Sequence, residues 1–260
     1  MYTAAAVVPP PSTTDDASSP EKLDDATADD TQERYPLPSV TVDIVAWAVL
    51  EADLKVLLIR RKLSPFLGAW ALPGGFVRVG ADPKAQGEGL LEAAERELVE
   101  ETQLRPGMVA LQQLGVFGPA GRDPRTRVIT IAHWGCVRPE LAAFIRAGTD
   151  AADARWFSWR HIDDVELAFD HATILRRGHR RLVEAMEDEE VDGVLSPERF
   201  SIAELRAIHE AVRGEPLDPA NFRRRFLARV DEGQAEVTEG HKVTGRRRAH
   251  VYRWAVNGSG

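Results

Sequence analysis

The stretch from Trp70 to Leu104, WALPGGFVRVGADPKAQGEGLLEAAERELVEETQL, constrains the fold more than any other part of the chain. Its last third, Arg96-Glu97-Leu98-Val99-Glu100-Glu101, sets three carboxylates and one guanidinium within two turns of a helix expected over 88–103. At about 100° per residue, Glu97, Glu100 and Glu101 share one helix face. Leu91, Ala94 and Leu98, at i, i+3 and i+7, form a separate apolar stripe suited to packing on a sheet. Three like charges on one face repel, so a counter-charge is expected beside them. Hard cations such as Mg²⁺ take these oxygens, usually together with substrate phosphates. Arg96, one turn before Glu100, can hold that carboxylate. An acidic run by itself is more often a solvated helix face. Here a Pro73-Gly74-Gly75 turn precedes the helix, and that order favours a phosphate and metal site.

This arrangement resembles the Nudix box: a glycine, a glutamate, then R-E-apolar-x-E-E-x-G, in a fold that cleaves nucleoside diphosphates linked to another group. Carried over, Gly75 is the box glycine, Glu88 the first glutamate, and Arg96, Glu97, Glu100 and Glu101 the core. Glu97, Glu100 and Glu101 are then the metal ligands and, if the site turns over, the catalytic carboxylates. Two departures stand out. Gly75 and Glu88 enclose twelve residues where the family pattern leaves five, an insertion placed at Ala81 to Gly87. The closing glycine of the box is Gln103. The phosphate loop and the helix-ending turn are therefore expected to be altered, and a site that binds but hydrolyses poorly is compatible with both changes.

At 260 residues the chain accommodates one such domain and something smaller. No apolar run approaches the ~20 residues of a membrane span, and no basic-then-apolar leader opens the sequence. Cys136 is the single cysteine, which excludes an internal disulfide and a cysteine-based zinc site. A reducing cytoplasm is the expected setting. The net charge of −8 conceals a reversal along the chain. Residues 1–38 hold eight acids against Lys22 and Arg34, whereas residues 219–253 hold nine bases against four acids. The first segment is rich in Pro, Ala, Ser, Thr and Asp and is expected to be disordered.

Strand patterns run over 40–50 and 55–59, joined by an acidic turn at Glu51-Ala52-Asp53. Further strands are expected over 70–76, 109–117, 128–137 and 154–159, and an amphipathic helix over 169–187. Residues 39–187 thus form an α/β domain. Residues 188–197, acidic and punctuated by Gly and Pro, read as a linker to a second domain over 198–256. There Ser201-Ile202-Ala203-Glu204 is a capping box, and Ile202, Leu205, Ile208 and Val212 are the apolar positions of a helix stopped by Gly214. Asp218-Pro219 opens a second helix with an N-cap and a proline at N1. Phe222, Phe226 and Val230 face inward on it, which leaves Asn221, Arg223, Arg224, Arg225 and Arg229 outward. Two helices joined by so short a turn form a helix-turn-helix. Strands over 234–238 and 249–255, joined by a loop containing Lys242, Arg246, Arg247 and Arg248, complete a wing.

In a helix-turn-helix the second helix enters the major groove. Arginine suits guanine edges there and asparagine suits adenine. Basic wing residues grip phosphate and make affinity depend on salt.

Taken together, the two halves resemble the Nudix-related transcriptional regulators of NAD metabolism, the NrtR type. The resemblance rests on residues 65–77 and 121–129 of the first half, and on Phe200-Ser201 and residues 216–224 of the second. It implies a Nudix α/β/α sandwich followed by a winged helix-turn-helix. It also implies a homodimer on double-stranded operator DNA, and a Nudix domain that senses ADP-ribose or a related nucleotide, often without hydrolysing it. The expected ligand-binding set is Arg60, Arg61, Gly74, Gly75, Arg96, Arg122 and Arg127. Arg122, Asp123, Arg125 and Arg127 share one loop and reach a ligand diphosphate, a dimer partner or only solvent. His161, His171 and His179 show no ligand pairing and read as surface or packing residues. The alternative reading is a Mg²⁺-dependent ADP-ribose pyrophosphatase with an accessory winged helix.

Overall fold

The computed structural model describes residues 37–80, 86–146, 154–244 and 247–255, with the side chains of 144, 146 and 240–248 left aside. The expected disorder over 1–38, apart from residues 37 and 38, most of the insertion and Arg246 fall on residues outside these. The acidic turn closes a hairpin between β1 (Ser39–Leu50) and β2 (Asp53–Arg60), with Glu51 and Ala52 both at positive φ. The expected strand over 70–76 divides into β3 (Trp70–Ala71) and β4 (Gly74–Phe76), broken at the Pro-Gly turn. The box helix is α1 (Leu90–Thr102), and β5 (Gln112–Phe117) and β6 (Val128–Cys136) follow. A helix not read from the sequence comes next, α2 (Pro139–Arg146). Its signal was present: proline at N1, glutamate in the first turn, and Leu141 and Ile145 four apart. Then come β7 (Ala154–Ser158) and α3 (His171–Glu187).

These strands make one seven-stranded sheet in the order β3-β2-β1-β6-β5, with β4 added to β1 and β7 to β2. β1 pairs parallel with β6 and antiparallel with β2 and β4. It is central and buried on both faces, which explains its apolar run from Ile44 to Leu50. Its even-numbered residues, Val42 to Ala48, pack with Ala93, Ala94 and Leu98 of α1. Its odd-numbered residues, Val45, Trp47 and Val49, pack with Ile174, Leu175 and Leu182 of α3. Leu91, expected in the α1 stripe, is 47% exposed, and Ala93 takes its place in the core.

The expected linker is a packed connector. It contains a single helical turn, α4 (Asp192–Leu195), and Val191, Asp192, Leu195 and Ser196 are all buried. The winged helix follows with α5 (Ile202–Arg213), α6 (Pro219–Asp231), β8 (Ala235–Thr244) and β9 (Arg247–Trp254). The local signals act as expected. Ser201 and Glu204 exchange capping hydrogen bonds, Gly214 takes the left-handed conformation, and Asp218 accepts from the Asn221 N–H at 2.8 Å. Phe200, Leu205, Phe226 and Tyr252 form a small core. α5 does not stand apart from the first domain, because Ile208, Ala211 and Val212 share a core with Trp47, Leu182 and Met186. The wing strands extend through much of the expected loop, up to the pair Thr244–Arg247.

Candidate functional site

Gly74 and Gly75 are required by close approach. A Cβ on Gly74 would stand 2.2 Å from the Val42 carbonyl oxygen, and one on Gly75 would stand 2.3 Å from a Glu97 carboxylate oxygen. The turn therefore presses against both β1 and α1. It opens one side of a cavity of about 400 Å³, within the range of small-molecule sites. Around that cavity stand Asp43 from β1, Arg60 and Arg61 from β2, and Glu100 and Glu101 from α1. Arg122, Asp123 and Arg125 enter from the loop before β6, with Phe169 and His171 at the start of α3.

The box carboxylates are tied into a charge cluster. Arg96 donates to both oxygens of Glu88 at 2.6 and 2.8 Å, to Glu97 at 2.6 Å and to Glu100 at 3.2 Å. It also donates to the Phe76 carbonyl at 3.2 Å. These bonds to Glu88 and Glu97 raise the Arg96 pKa and, through the Arg96 hydrogen bonds first, hold Glu88 down at about 2. Arg96 was expected to bind ligand. Its donors are instead spent inside the cluster and it does not line the cavity. Arg127 is likewise outside the cavity, exposed and bonded to the Pro119 carbonyl.

The insertion is pinched off at its base. The Arg78 N–H donates to Glu88 at 2.8 Å and the Glu88 N–H donates to the Arg78 carbonyl at 3.0 Å. The residues on either side of it are thereby held together, so Glu88 reaches Arg96. Gln103 ends α1 in the left-handed conformation (φ 64°) usually reserved for the family's glycine.

Glu101 differs from its neighbours. Burial first, then the charges of Glu97 and Asp43, push its carboxyl up to about 7, against the pull of the 2.8 Å bond from the Gly74 N–H. This crowding is what a hard divalent cation relieves, and the donors are of the type Mg²⁺ accepts. As placed, however, no three carboxylate, imidazole or thiol groups converge on one point among the described residues. Arg96 and Arg78 supply the counter-charge to Glu97 and Glu100 instead.

The far wall of the cavity is built around Arg122, an expected ligand residue, and His171, which was not one. Arg122, 4% exposed, donates to both oxygens of Asp170 and to Asp43. His171, expected at a surface or in plain packing, accepts the Leu72 N–H through Nδ1 at 2.9 Å. Its Nε2 therefore carries the proton and faces Asp43 at 3.4 Å. Burial lowers its pKa and keeps the ring neutral. Phe169 was not an expected site residue either, and Asp123 was expected only among loop charges that reach ligand, dimer partner or solvent. Asp123 holds the Arg125 guanidinium at 2.7 and 3.0 Å, beside the faces of Phe76 and Phe169. Arg122 and His171 find their polar partners, Asp43, Asp170 and Leu72, on distant elements, so no local pattern marks them, whereas Asp123 pairs with Arg125 within its own loop.

In the winged helix, Asn221, Arg223 and Arg224 are exposed on the first turns of α6, and Arg225 is exposed beside Glu189. Arg229, expected outward, turns inward. Its side chain is 12% exposed and pairs with buried Asp192 at 2.5 Å and with Glu189 at 3.1 Å, over the Trp254 ring. Lys242, Arg247 and Arg248 lie on the paired wing strands near the tip, and nothing is described of their side chains.

Comparison with known proteins bears on both halves. Residues 40–178 match the NUDIX domain and residues 194–254 match the NrtR DNA-binding winged helix domain. The chain belongs to the NrtR-type Nudix family. It is 32% identical over 222 residues to the ADPR responsive transcriptional repressor NtrR of Acinetobacter baylyi, covering 85% of this chain and 84% of that one. It superimposes on Shewanella oneidensis NrtR, crystallised in complex with a 27mer DNA, with a TM-score of 0.68 and 28% identity, over 83% of this chain and 93% of that one. The Nudix half is also 40% identical over 142 residues to an ADP-ribose pyrophosphatase of Methanocaldococcus jannaschii, covering 55% of this chain and 73% of that one. The NrtR-type architecture, a mixed α/β Nudix domain followed by a winged helix with a β-hairpin, is thus present in both sequence and structure. No helix among the described residues is long and apolar enough to cross a membrane.

Proposed function

We propose that this NrtR-type protein is a transcriptional repressor that binds operator DNA through its winged helix and responds to ADP-ribose or a related nucleotide in its Nudix cavity. The observation that carries this is the packing of α5 into the core of the Nudix domain, with arginines on α6 left exposed. A nucleotide pocket and a basic helix-turn-helix are thereby joined through packed elements. The A. baylyi relative is named for this response, and the S. oneidensis relative was crystallised on DNA. Genes of NAD metabolism are the proposed targets. A homodimer would place two winged helices on half-sites separated by whole helical turns.

At the cavity, Arg60, Arg61 and Arg125 supply positive charge for a diphosphate, and the glycine turn lets backbone approach it. Asn221, Arg223 and Arg224 are proposed to read bases, with Arg225, Lys242 and Arg246 to Arg248 contacting phosphate. One observation favours a second activity. Glu101, with its carboxyl near 7 at the cavity wall, has the acidity a general base needs at neutral pH. Bound Mg²⁺, held by Glu97 and Glu100 with Glu101 left free as the base, would supply charge stabilisation to a diphosphate. Arg96 would keep the carboxylates oriented while Glu101 takes a proton from water.

The test is fluorescence anisotropy with DNA from upstream of the neighbouring genes, titrated with ADP-ribose at fixed salt, with and without Mg²⁺, while AMP is assayed. Specific binding weakened by intact ADP-ribose is the expected result. No preference over bulk DNA, together with rapid AMP release, would make the protein an enzyme and refute the proposal.

A further inference from the structure

α3 begins at the ligand cavity and lies along β1 toward the winged helix. His171 faces Asp43, Gly178 packs on Val45 so closely that a Cβ would stand 3.0 Å away, and His179 meets Trp47. Further along, Leu182 and Met186 share a core with Ile208, Ala211 and Val212 of α5. His179 is stacked on Trp159, and its Nε2–H donates to the Val212 carbonyl at 2.9 Å. Val212 lies in the last turn of α5, just before the turn that leads into α6. α3 therefore holds the end of α5 from which the DNA-facing helix departs.

The other end of α3 is unusual. Asp170 occupies the N-cap position, where an aspartate normally accepts from the N–H groups of the first turn. Its side chain makes no such bond. Both carboxylate oxygens are taken by Arg122, at 2.7 to 3.1 Å. Arg122 in turn lines the cavity. Its guanidinium is thus the shared group between a ligand anion on one side and the cap of α3 on the other.

We propose that Asp170 and Arg122 form a two-position switch on α3, and that His179 transmits its setting to the winged helix. Without ligand, Arg122 holds Asp170 away from the helix and α3 starts uncapped. A diphosphate in the cavity draws Arg122, and the released Asp170 turns to cap α3. The first turns of α3 then reset against β1, and the bond from His179 carries the shift to the end of α5. Both sites bias one element with two discrete arrangements, which is the physical requirement for coupling. By linkage the ligand and the DNA must affect one another by the same factor. The inference rests on the ligand-responsive repressor reading and names its route.

Asp170→Ser separates the two roles of this residue, because serine caps a helix and cannot pair with Arg122. The full chain is measured by anisotropy on operator DNA, with and without saturating ADP-ribose, after thermal unfolding has shown which variants are folded. Asp170→Ser without ligand is expected to bind DNA with the affinity that the wild type shows only with ligand. His179→Phe keeps the ring and loses the donor. It is expected to bind ADP-ribose alone within about threefold of the wild type while the coupling factor, in general about 5 to 150, falls below about 2. His179→Gln, which restores a donor, is expected to recover coupling. If Asp170→Ser does not fold, Asp170→Asn must still reduce coupling. A folded Asp170 variant and His179→Phe that both keep the wild-type coupling factor would overturn the route. A wild type whose DNA affinity ignores ADP-ribose would instead overturn the repressor reading itself.

Discussion

Replacing Arg229 by leucine separates a structural role from a DNA-reading one. Arg229 bridges α6 to the connector: its Nη1 is 2.5 Å from Asp192, which is 1% exposed, and its Nε is 3.1 Å from Glu189. The guanidinium also lies 4.4 Å from the Trp254 ring centre. Losing the charge-assisted bond to Asp192 costs about 1.5–3 kcal/mol. The partly exposed pair with Glu189 adds roughly 0.5 kcal/mol, and the cation–π contact about 1 kcal/mol. His209, whose Nε2 stands 2.9 Å from Asp192 without making a hydrogen bond, can turn to offset part of this. The net is about 3–4 kcal/mol, within the range for stranding one charge of a buried pair. For a chain of this size that lowers the midpoint by about 6–16 °C. The assay is thermal and urea unfolding of Arg229→Leu beside the wild type, followed by operator binding well below the lowered midpoint. Adding Asp192→Asn removes the stranded charge, so in that background Arg229→Leu should cost less than half as much. An Arg229→Leu protein of wild-type stability that has lost operator affinity would refute the burial argument and return Arg229 to the DNA face.

Four further outcomes are expected. Glu101 has a folded pKa of about 7, above its ordinary value of 4.5, so the fold binds this proton more tightly than the unfolded chain does. Its contribution is full below pH 4.5 and is lost as pH rises through 7. Without divalent cations the midpoint should therefore decline between pH 5 and 8, and Glu101→Gln should flatten that slope; equal slopes would count against it. Gly74→Ala sets a methyl 2.2 Å from the Val42 carbonyl, and should cost at least about 1–3 kcal/mol and weaken ADP-ribose binding by calorimetry. Gln103→Gly relieves a left-handed glutamine and should stabilise the protein by about 1 kcal/mol in urea titrations. Arg224→Ala should weaken operator binding by about 1–3 kcal/mol if the residue reads a base, while ADP-ribose affinity measured without DNA stays unchanged.

The elements whose signals lie within a few residues were legible in the sequence. Ser201 with Glu204, Asp218 with Pro219, and Gly214 each act on their own helix ends, so local spacing was enough to place α5 and α6. The Glu-rich face of α1 and the Gly-Gly turn were legible for the same reason, and the family resemblance tied them to one fold. What local spacing could not decide is which surfaces meet. Residues 188–197 have the composition of a linker, yet Val191 and Leu195 are buried because α3 and α5 leave an apolar groove there. Arg229 falls among outward positions on a helical projection, and only the presence of Asp192 beneath it turns it inward. His171 looked unpartnered because its partners, Asp43 and Leu72, lie 128 and 99 positions earlier. Caps and periodicity are properties of neighbouring residues, whereas the pairing of buried charges is a property of packed faces, and only the tertiary structure brings those faces together.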